Sequence, residues 1–283
     1  MPEVRKPAVA GMFYSGTRDS LMRQIEQCFL HELGPHELPS VNKHGPRRII
    51  GLVCPHAGYM YSGPVAAHAY YALAKDGVPE VVVILGPNHH GIGSPIATMT
   101  EGFWETPLGR VAIHGELARK IAKMSGIIDV DPTAHAYEHS IEVQLPFLQY
   151  LYGNSFKLVP ISMMMQDPES SSIVGKAIAE SIRGLNAIII ASTDFTHYEP
   201  HEQAKQKDLE AIKQILRLDP SGLYEMVERR RVTMCGVGPV MAMLTAAKML
   251  GATAAYLLKY ATSGDITGEY LQVVGYGAIS IMR

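Results

Sequence analysis

Three short apolar runs, Ile49–Cys54, Val81–Leu85 and Ala187–Ala191, constrain this chain more than any other feature. Each is nearly continuous and rich in Val and Ile, the signature of a strand covered on both faces. Lys157–Ile161, Ala254–Lys259 and Gly275–Met282 are further strand candidates. Between them the spacing of apolar residues predicts helices near 19–32, 64–74, 115–125, 139–151, 168–183, 203–217, 221–230 and 236–250. Strands alternating with helices over this length imply an α/β architecture, a mainly parallel central sheet flanked by helices. The stretch 92–114, with Pro95 and Thr106-Pro107-Leu108-Gly109, reads as a β-rich excursion. Residues 34–48 carry Pro35, Pro39 and Pro46 and read as a loop too short to separate domains. One domain over residues 1–283 is expected.

Composition narrows the function classes. With 283 residues, 47% hydrophobic and 18% charged, the chain can bury a sizeable core. A formal charge of −2 leaves no electrostatic footprint for nucleic acid or an acidic membrane. The basic run Arg229, Arg230, Arg231 reads as a solvated helix end. Three cysteines, Cys28, Cys54 and Cys235, lack paired spacing, which argues against a disulfide framework and for a reducing compartment. The N-terminal residues have no signal-peptide apolar stretch, and no apolar run approaches the ~20 residues that cross a bilayer. A cytoplasmic location is expected.

The histidines fall where chemistry is expected. Ile49–Cys54 is followed by Pro55-His56-Ala57-Gly58-Tyr59, and Val81–Leu85 by Gly86-Pro87-Asn88-His89-His90-Gly91. The third run leads into Ser192-Thr193-Asp194-Phe195-Thr196-His197-Tyr198. Three strands therefore deliver imidazoles at their carboxyl ends, the edge where open α/β sheets bind ligands. Imidazole is the commonest side-chain metal ligand and a base near neutral pH. Any one of the twelve histidines could be a surface or core residue; three at strand ends point to one site. His90 could be a ligand, a supporting residue or merely a neighbour. Asp194, three residues before His197, could orient an imidazole by accepting its other N–H, or cap a helix.

Cys235 stands in Thr233-Met234-Cys235-Gly236-Val237-Gly238-Pro239, before an apolar helix. A helix N-terminus stabilises a thiolate that could ligate metal or react; a buried inert thiol is the alternative. Cys54 and Cys28 fit the inert reading. Glu138-His139-Ser140-Ile141-Glu142 opens a predicted helix with Glu138 and Glu142 on one face, which reads as solvated unless the face turns into the crevice. It lacks the second histidine of a metalloprotease helix. Met163–Met165 reads as packing. The sequence has no P-loop, no dinucleotide-binding glycine pattern and no nucleophile elbow, which removes the main support for nucleotide hydrolysis and serine-hydrolase chemistry.

Taken in order, Pro55-His56-Ala57-Gly58-Tyr59, Gly86-Pro87-Asn88-His89-His90, Glu138-His139-Ser140-Ile141-Glu142, Ser192-Thr193-Asp194-Phe195-Thr196-His197 and Met234-Cys235-Gly236 resemble the successive motifs of the Memo family (mediator of ErbB2-driven cell motility). Lys6-Pro7-Ala8-Val9-Ala10-Gly11-Met12-Phe13-Tyr14 resembles its N-terminal motif. The resemblance implies a three-layer αβα, phosphorylase/hydrolase-like fold similar to the class III extradiol dioxygenases, non-haem iron enzymes that open catechol-type rings with O₂. It implies metal ligands at His56, His89 and Cys235. It also implies a catalytic role for His197 with Asp194 beside it. Iron or copper is the implied cofactor, with zinc a third candidate. The dioxygenases use two histidines and a carboxylate, whereas a thiolate here is softer and favours copper(I), zinc or thiolate-ligated iron. The fold carries over more safely than the ring-opening reaction.

These observations lead to an expected iron- or copper-dependent redox protein or oxidoreductase. The alternatives are a peptide- or protein-binding module using the same crevice, and an accessory protein in a radical SAM-linked modification pathway. The expected partners are a small molecule or peptide in the crevice, and AMMECR1-like and radical SAM proteins.

Overall fold

The computed structural model describes residues 3–283. Its strands are β1 (Val4–Arg5), β2 (Ile49–Cys54), β3 (Val81–Pro87), β4 (Ile96–Thr98), β5 (Phe103–Thr106), β6 (Gly109–Ile113), β7 (Asp129–Val130), β8 (Lys157–Met163), β9 (Ala187–Ser192), β10 (His197–Glu199), β11 (Ala254–Thr262) and β12 (Val273–Met282). Its principal helices are α1 (Arg18–Leu30), α2 (Tyr59–Asp76), α3 (Gly115–Ser125), α4 (Leu145–Tyr152), α5 (Pro168–Ile182), α6 (His201–Leu216), α7 (Pro220–Arg230) and α8 (Val237–Met249). One sheet runs in the order β1-β5-β6-β8-β3-β9-β2-β12-β10. Its centre, β6-β8-β3-β9-β2, is parallel throughout, and β12 closes it antiparallel to β2. The α/β reading and the mainly parallel central sheet are what the structure has.

The two-sided burial read from the sequence is literal. Along β3, Val81, Val83 and Leu85 enter one core with α3 and α5 to α8, while Val82 and Ile84 enter a second with α1, α2 and α4. Alternation along a strand sends successive side chains to opposite faces, so both faces must be apolar. This gives the αβα layering that the resemblance implies. Every β2 and β3 residue is buried.

Three differences bear on the site. The helix expected over 139–151 does not begin at 139. Residues 138 and 139 lie in irregular chain, a 3₁₀ turn spans Glu142–Gln144, and α4 starts at Leu145 with Pro146 in its first turn. Proline fits there because its missing N–H has no partner in that turn. Glu138 and Glu142 are therefore not a solvated helix face, and both are buried. Strands β1, β7 and β10, of two or three residues, were not expected at all; such lengths carry no readable period.

Among the described residues, no helix is long and apolar enough to cross a membrane.

Candidate metal centre

Strand β9 lies between β3 and β2, all three parallel, so their carboxyl ends are adjacent. The chain segments leaving those ends carry His56, His89 and the Asp194–His197 stretch. Past the last β2–β9 pair, Thr193 N donates to Cys54 O at 2.9 Å. The Asp194 carboxylate then takes over as acceptor, its Oδ1 receiving the His56 peptide N–H at 2.9 Å. The ladder thus continues through a side chain just where both segments turn away.

The His56 ring is buried, with Nδ1 at 2.8 Å from Ser192 Oγ and Nε2 at 3.2 Å from Cys235 Sγ. Burial, then the positive charge that His139 and His89 would carry, drives His56 well below the usual imidazole range, so it stays neutral. His89 is held by Glu138 at two points: its peptide N–H reaches Oε2 at 2.6 Å and its Nδ1 reaches Oε1 at 2.9 Å. Burial of Glu138 opposes ionisation, but its hydrogen bonds and charge contacts with His89 and His139 outweigh that and hold it well below the usual carboxylate range. An ionised carboxylate only accepts, so Nδ1 of His89 carries a proton and Nε2 is the nitrogen left for a ligand bond.

His139 completes the cluster. Its ring stacks on His89 at 4.6 Å between centroids, and it meets His56 edge-on at 5.4 Å. Donor atoms of His56, His89 and His139 all lie within 4.8 Å of one another. Burial pushes His139 down to about 4, against the pull of Glu138. The role of His139 was left open by the sequence, because it sits in an irregular stretch. A second group within the same reach, His90, Glu138 and His139, is less suited to an ion. Both Glu138 oxygens are already occupied by N–H donors of His89, His139 and Ser140.

Cys235 arrives from the start of α8, where Gly236 packs against the carbonyl of Ser192 so closely that any Cβ would strike it. That approach sets Sγ beside His56 and lets Asp194 N–H donate to it at 3.2 Å. Desolvation, then the Asp194 charge, pushes the thiol up rather than down, contrary to a helix-stabilised thiolate. A cation bound beside it would reverse that sign. Cys235 reaches the cluster through His56, while the mutually close trio takes His139 as its third member. Cys28 and Cys54 are buried thiols pushed up to about 12, in keeping with the inert reading.

His197 lines the same crevice but is not oriented by Asp194. Its Nδ1 is 2.8 Å from the Thr233 carbonyl oxygen, which can only accept, so Nδ1 carries a proton and Nε2 is left without that partner. Asp194 is committed to the His56 peptide, and burial raises its pKa to about 6. No helix follows it either, since β10 comes next.

Two cavities meet over the imidazoles. One, of about 460 Å³, is lined by Met60, Tyr61, Asp194, His197 and Tyr198, and the other, of about 660 Å³, by Lys6, His90 and Tyr137. Met12, Phe13, His89 and His139 border both. Phe13 packs on His139 at 4.8 Å and its carbonyl accepts the Tyr59 N–H at 2.7 Å. The N-terminal segment is thus a wall of the site.

The donor set fits a transition metal: imidazole nitrogens and a sulfur suit iron, copper or zinc, not calcium or magnesium.

The chain is similar to known proteins over nearly its whole length. A MEMO1 family protein of Methanopyrus kandleri is 57% identical over 281 residues, 99% of each chain. A second, from Methanothermobacter thermautotrophicus, is 53% identical and covers 98% of this chain and 100% of its own. The crystal structure of an uncharacterised protein from Escherichia coli K12 superposes with a TM-score of 0.56 at 12% identity. It covers 82% of this chain and 99% of that one, a likeness of fold alone. The model of Memo-like proteins matches residues 5–280, and the chain belongs to the Memo family.

Proposed function

We propose that this chain is a metal-dependent redox protein, with iron or copper as its ion and zinc the third candidate. One observation carries the reading: three imidazoles with donor atoms within 4.8 Å, one of them 3.2 Å from a thiol, at the carboxyl edge of a parallel sheet. His56 and His89 would hold the ion, with Cys235 and His139 as further donors. When bound, such an ion supplies a redox centre or a Lewis acid.

The protein groups have separable tasks. Glu138 fixes the His89 ring, and the buried surroundings keep His56 neutral. His197, its Nδ1 tied to the Thr233 carbonyl, would exchange a proton through Nε2 with a molecule in the crevice. Met12, Phe13 and Met60 give that molecule an apolar berth that limits water. Ring opening of catechols is the narrowest version of this function.

Metal analysis of the purified protein tests the reading. Wild type should carry iron or copper near one per chain, His56→Ala should lose it, and Cys235→Ser should bind it more weakly. A metal-free wild type that takes up neither ion on anaerobic reconstitution sinks the proposal. Exposure of the iron form to catechols and O₂ then decides for or against ring opening.

A second reading has its own support. The paired cavities are bordered by exposed Met12, Met60, Tyr137 and Tyr198, a surface suited to a peptide. A binding module would hold peptides equally well without metal. A role beside AMMECR1-like or radical SAM proteins would appear as co-purification with them.

A further inference from the structure

We infer that Ser192 is a positioning residue that fixes His56 in one tautomer, proton on Nδ1 and bare lone pair on Nε2. A serine hydroxyl has one proton to give and two lone pairs to accept with. Ser192 Oγ, fully buried, has three polar neighbours at hydrogen-bond distance: Ser140 O at 2.6 Å, Gln144 Nε2 at 2.8 Å and His56 Nδ1 at 2.8 Å. The Ser140 carbonyl oxygen can only accept, so it takes the hydroxyl proton.

Gln144 cannot supply an acceptor in its place. Its Nε2 also donates to the Pro55 carbonyl oxygen at 3.0 Å, and its Oε1 accepts the Tyr70 hydroxyl at 2.5 Å. Turning the amide over would set Oε1 against the Pro55 oxygen, so the orientation is fixed. Ser192 Oγ therefore accepts from Gln144 and has one lone pair left. His56 Nδ1 must bring a proton to it. Were Nδ1 bare, two lone pairs would face each other at 2.8 Å in a dry site, the costly arrangement for buried polar atoms.

The consequence lies on the other side of the ring. Nε2 faces Cys235 Sγ at 3.2 Å and Asp194 Oδ2 at 4.0 Å. A proton there would be drawn to either group and would block ligation. Ser192, with Ser140 and Gln144 behind it, keeps that proton off. His56 and His89 then present the same nitrogen, each through an acceptor on Nδ1.

This inference rests on the metal-centre reading for its purpose but not for its test. Metal-free protein labelled with ¹⁵N-histidine would be examined by long-range proton–nitrogen correlation, with His56 assigned from His56→Gln. The expected wild-type pattern is protonated Nδ1 and bare Nε2. Ser192→Ala should move His56 toward Nε2–H and weaken Co(II) binding about 10- to 100-fold, the usual effect of removing a ligand's hydrogen-bond partner. A wild-type His56 protonated on Nε2, or a tautomer unchanged in Ser192→Ala, overturns the inference. The wild-type spectrum needs no variant to fold. The expected tautomer without any Co(II) uptake supports the inference and removes the metal-centre reading instead.

Discussion

Arg5 and Glu142 stand 137 positions apart and form an ion pair sealed from solvent, their side chains 4% and 0% exposed. Glu142 also accepts the N–H of Ala8 at 2.8 Å and of Val9 at 3.1 Å, and the Tyr14 hydroxyl at 2.6 Å. One carboxylate thus gathers residues 5–14 into the wall that carries Met12 and Phe13. Removing it takes from a buried guanidinium its charge partner and orphans two N–H groups and a hydroxyl. Glu142→Ala should cost about 3–5 kcal/mol of stability, measured by urea unfolding. A cost within experimental error would show that the wall is held by its other contacts.

Glu138 acts on the cluster itself. Glu138→Gln can accept one N–H of His89 while its amide group faces another donor, so the ring loses its fixed orientation. Affinity for Co(II) should fall about 10- to 100-fold by titration, with the far-ultraviolet circular dichroism unchanged. Unaltered affinity would mean that His89 is not a ligand, or that Glu138 does not orient it.

Asp208 gives a pH dependence of defined sign. It is buried and accepts Thr196 N at 3.0 Å, Thr196 Oγ1 at 2.6 Å and Tyr260 OH at 2.8 Å. Burial raises its pKa to about 6, against these hydrogen bonds and the attraction of His197. The unfolded carboxyl titrates near ~3.9, so between the two values the native state holds a proton that the unfolded state has lost. Its contribution is full below about pH 4 and is lost as pH rises through about 6. Relative to Asp208→Asn, wild type should lose on the order of 2–3 kcal/mol across that window, read from urea unfolding at several pH values. A difference that does not vary with pH would refute the raised value.

Gly236 sets the position of Cys235. In Gly236→Ala the new methyl group meets the Ser192 carbonyl and the Thr193 side chain, so the start of α8 must move. The expected cost is about 1–3 kcal/mol, with loss of the thiolate–Co(II) charge-transfer band. A variant that keeps the band at full intensity would separate Cys235 placement from this contact.

Much of the fold was legible because a parallel sheet covered on both faces writes itself as continuous apolar runs, and β2, β3 and β9 are such runs. His56 and His89 were legible for the same reason, each following the end of a strand. Glu138 and His139 were not. They lie in irregular chain ahead of a 3₁₀ turn, and helical spacing gave Glu138 and Glu142 a shared face that does not exist. The hold on His197 was equally hidden, because Thr233 acts through its backbone oxygen, which no sequence pattern marks. Glu142 illustrates a general case: a buried charge is identified only with its partner, and Arg5 lies on a two-residue strand without a period.

Strand β12 lies between β2 and β11 and pairs with both, although β2 precedes it by more than two hundred residues. Until β12 has been synthesised, β2 can be paired only with β9, and its other edge offers unsatisfied backbone groups to any passing strand. The segment that carries His56 is thus exposed to misassembly for most of the chain's emergence from the ribosome. Docking of β12 is a long-range, slow closure of the kind that makes such intermediates prone to aggregate. Early capture by chaperones, or rapid docking of β12 onto β2 once it is made, would protect the newly made chain.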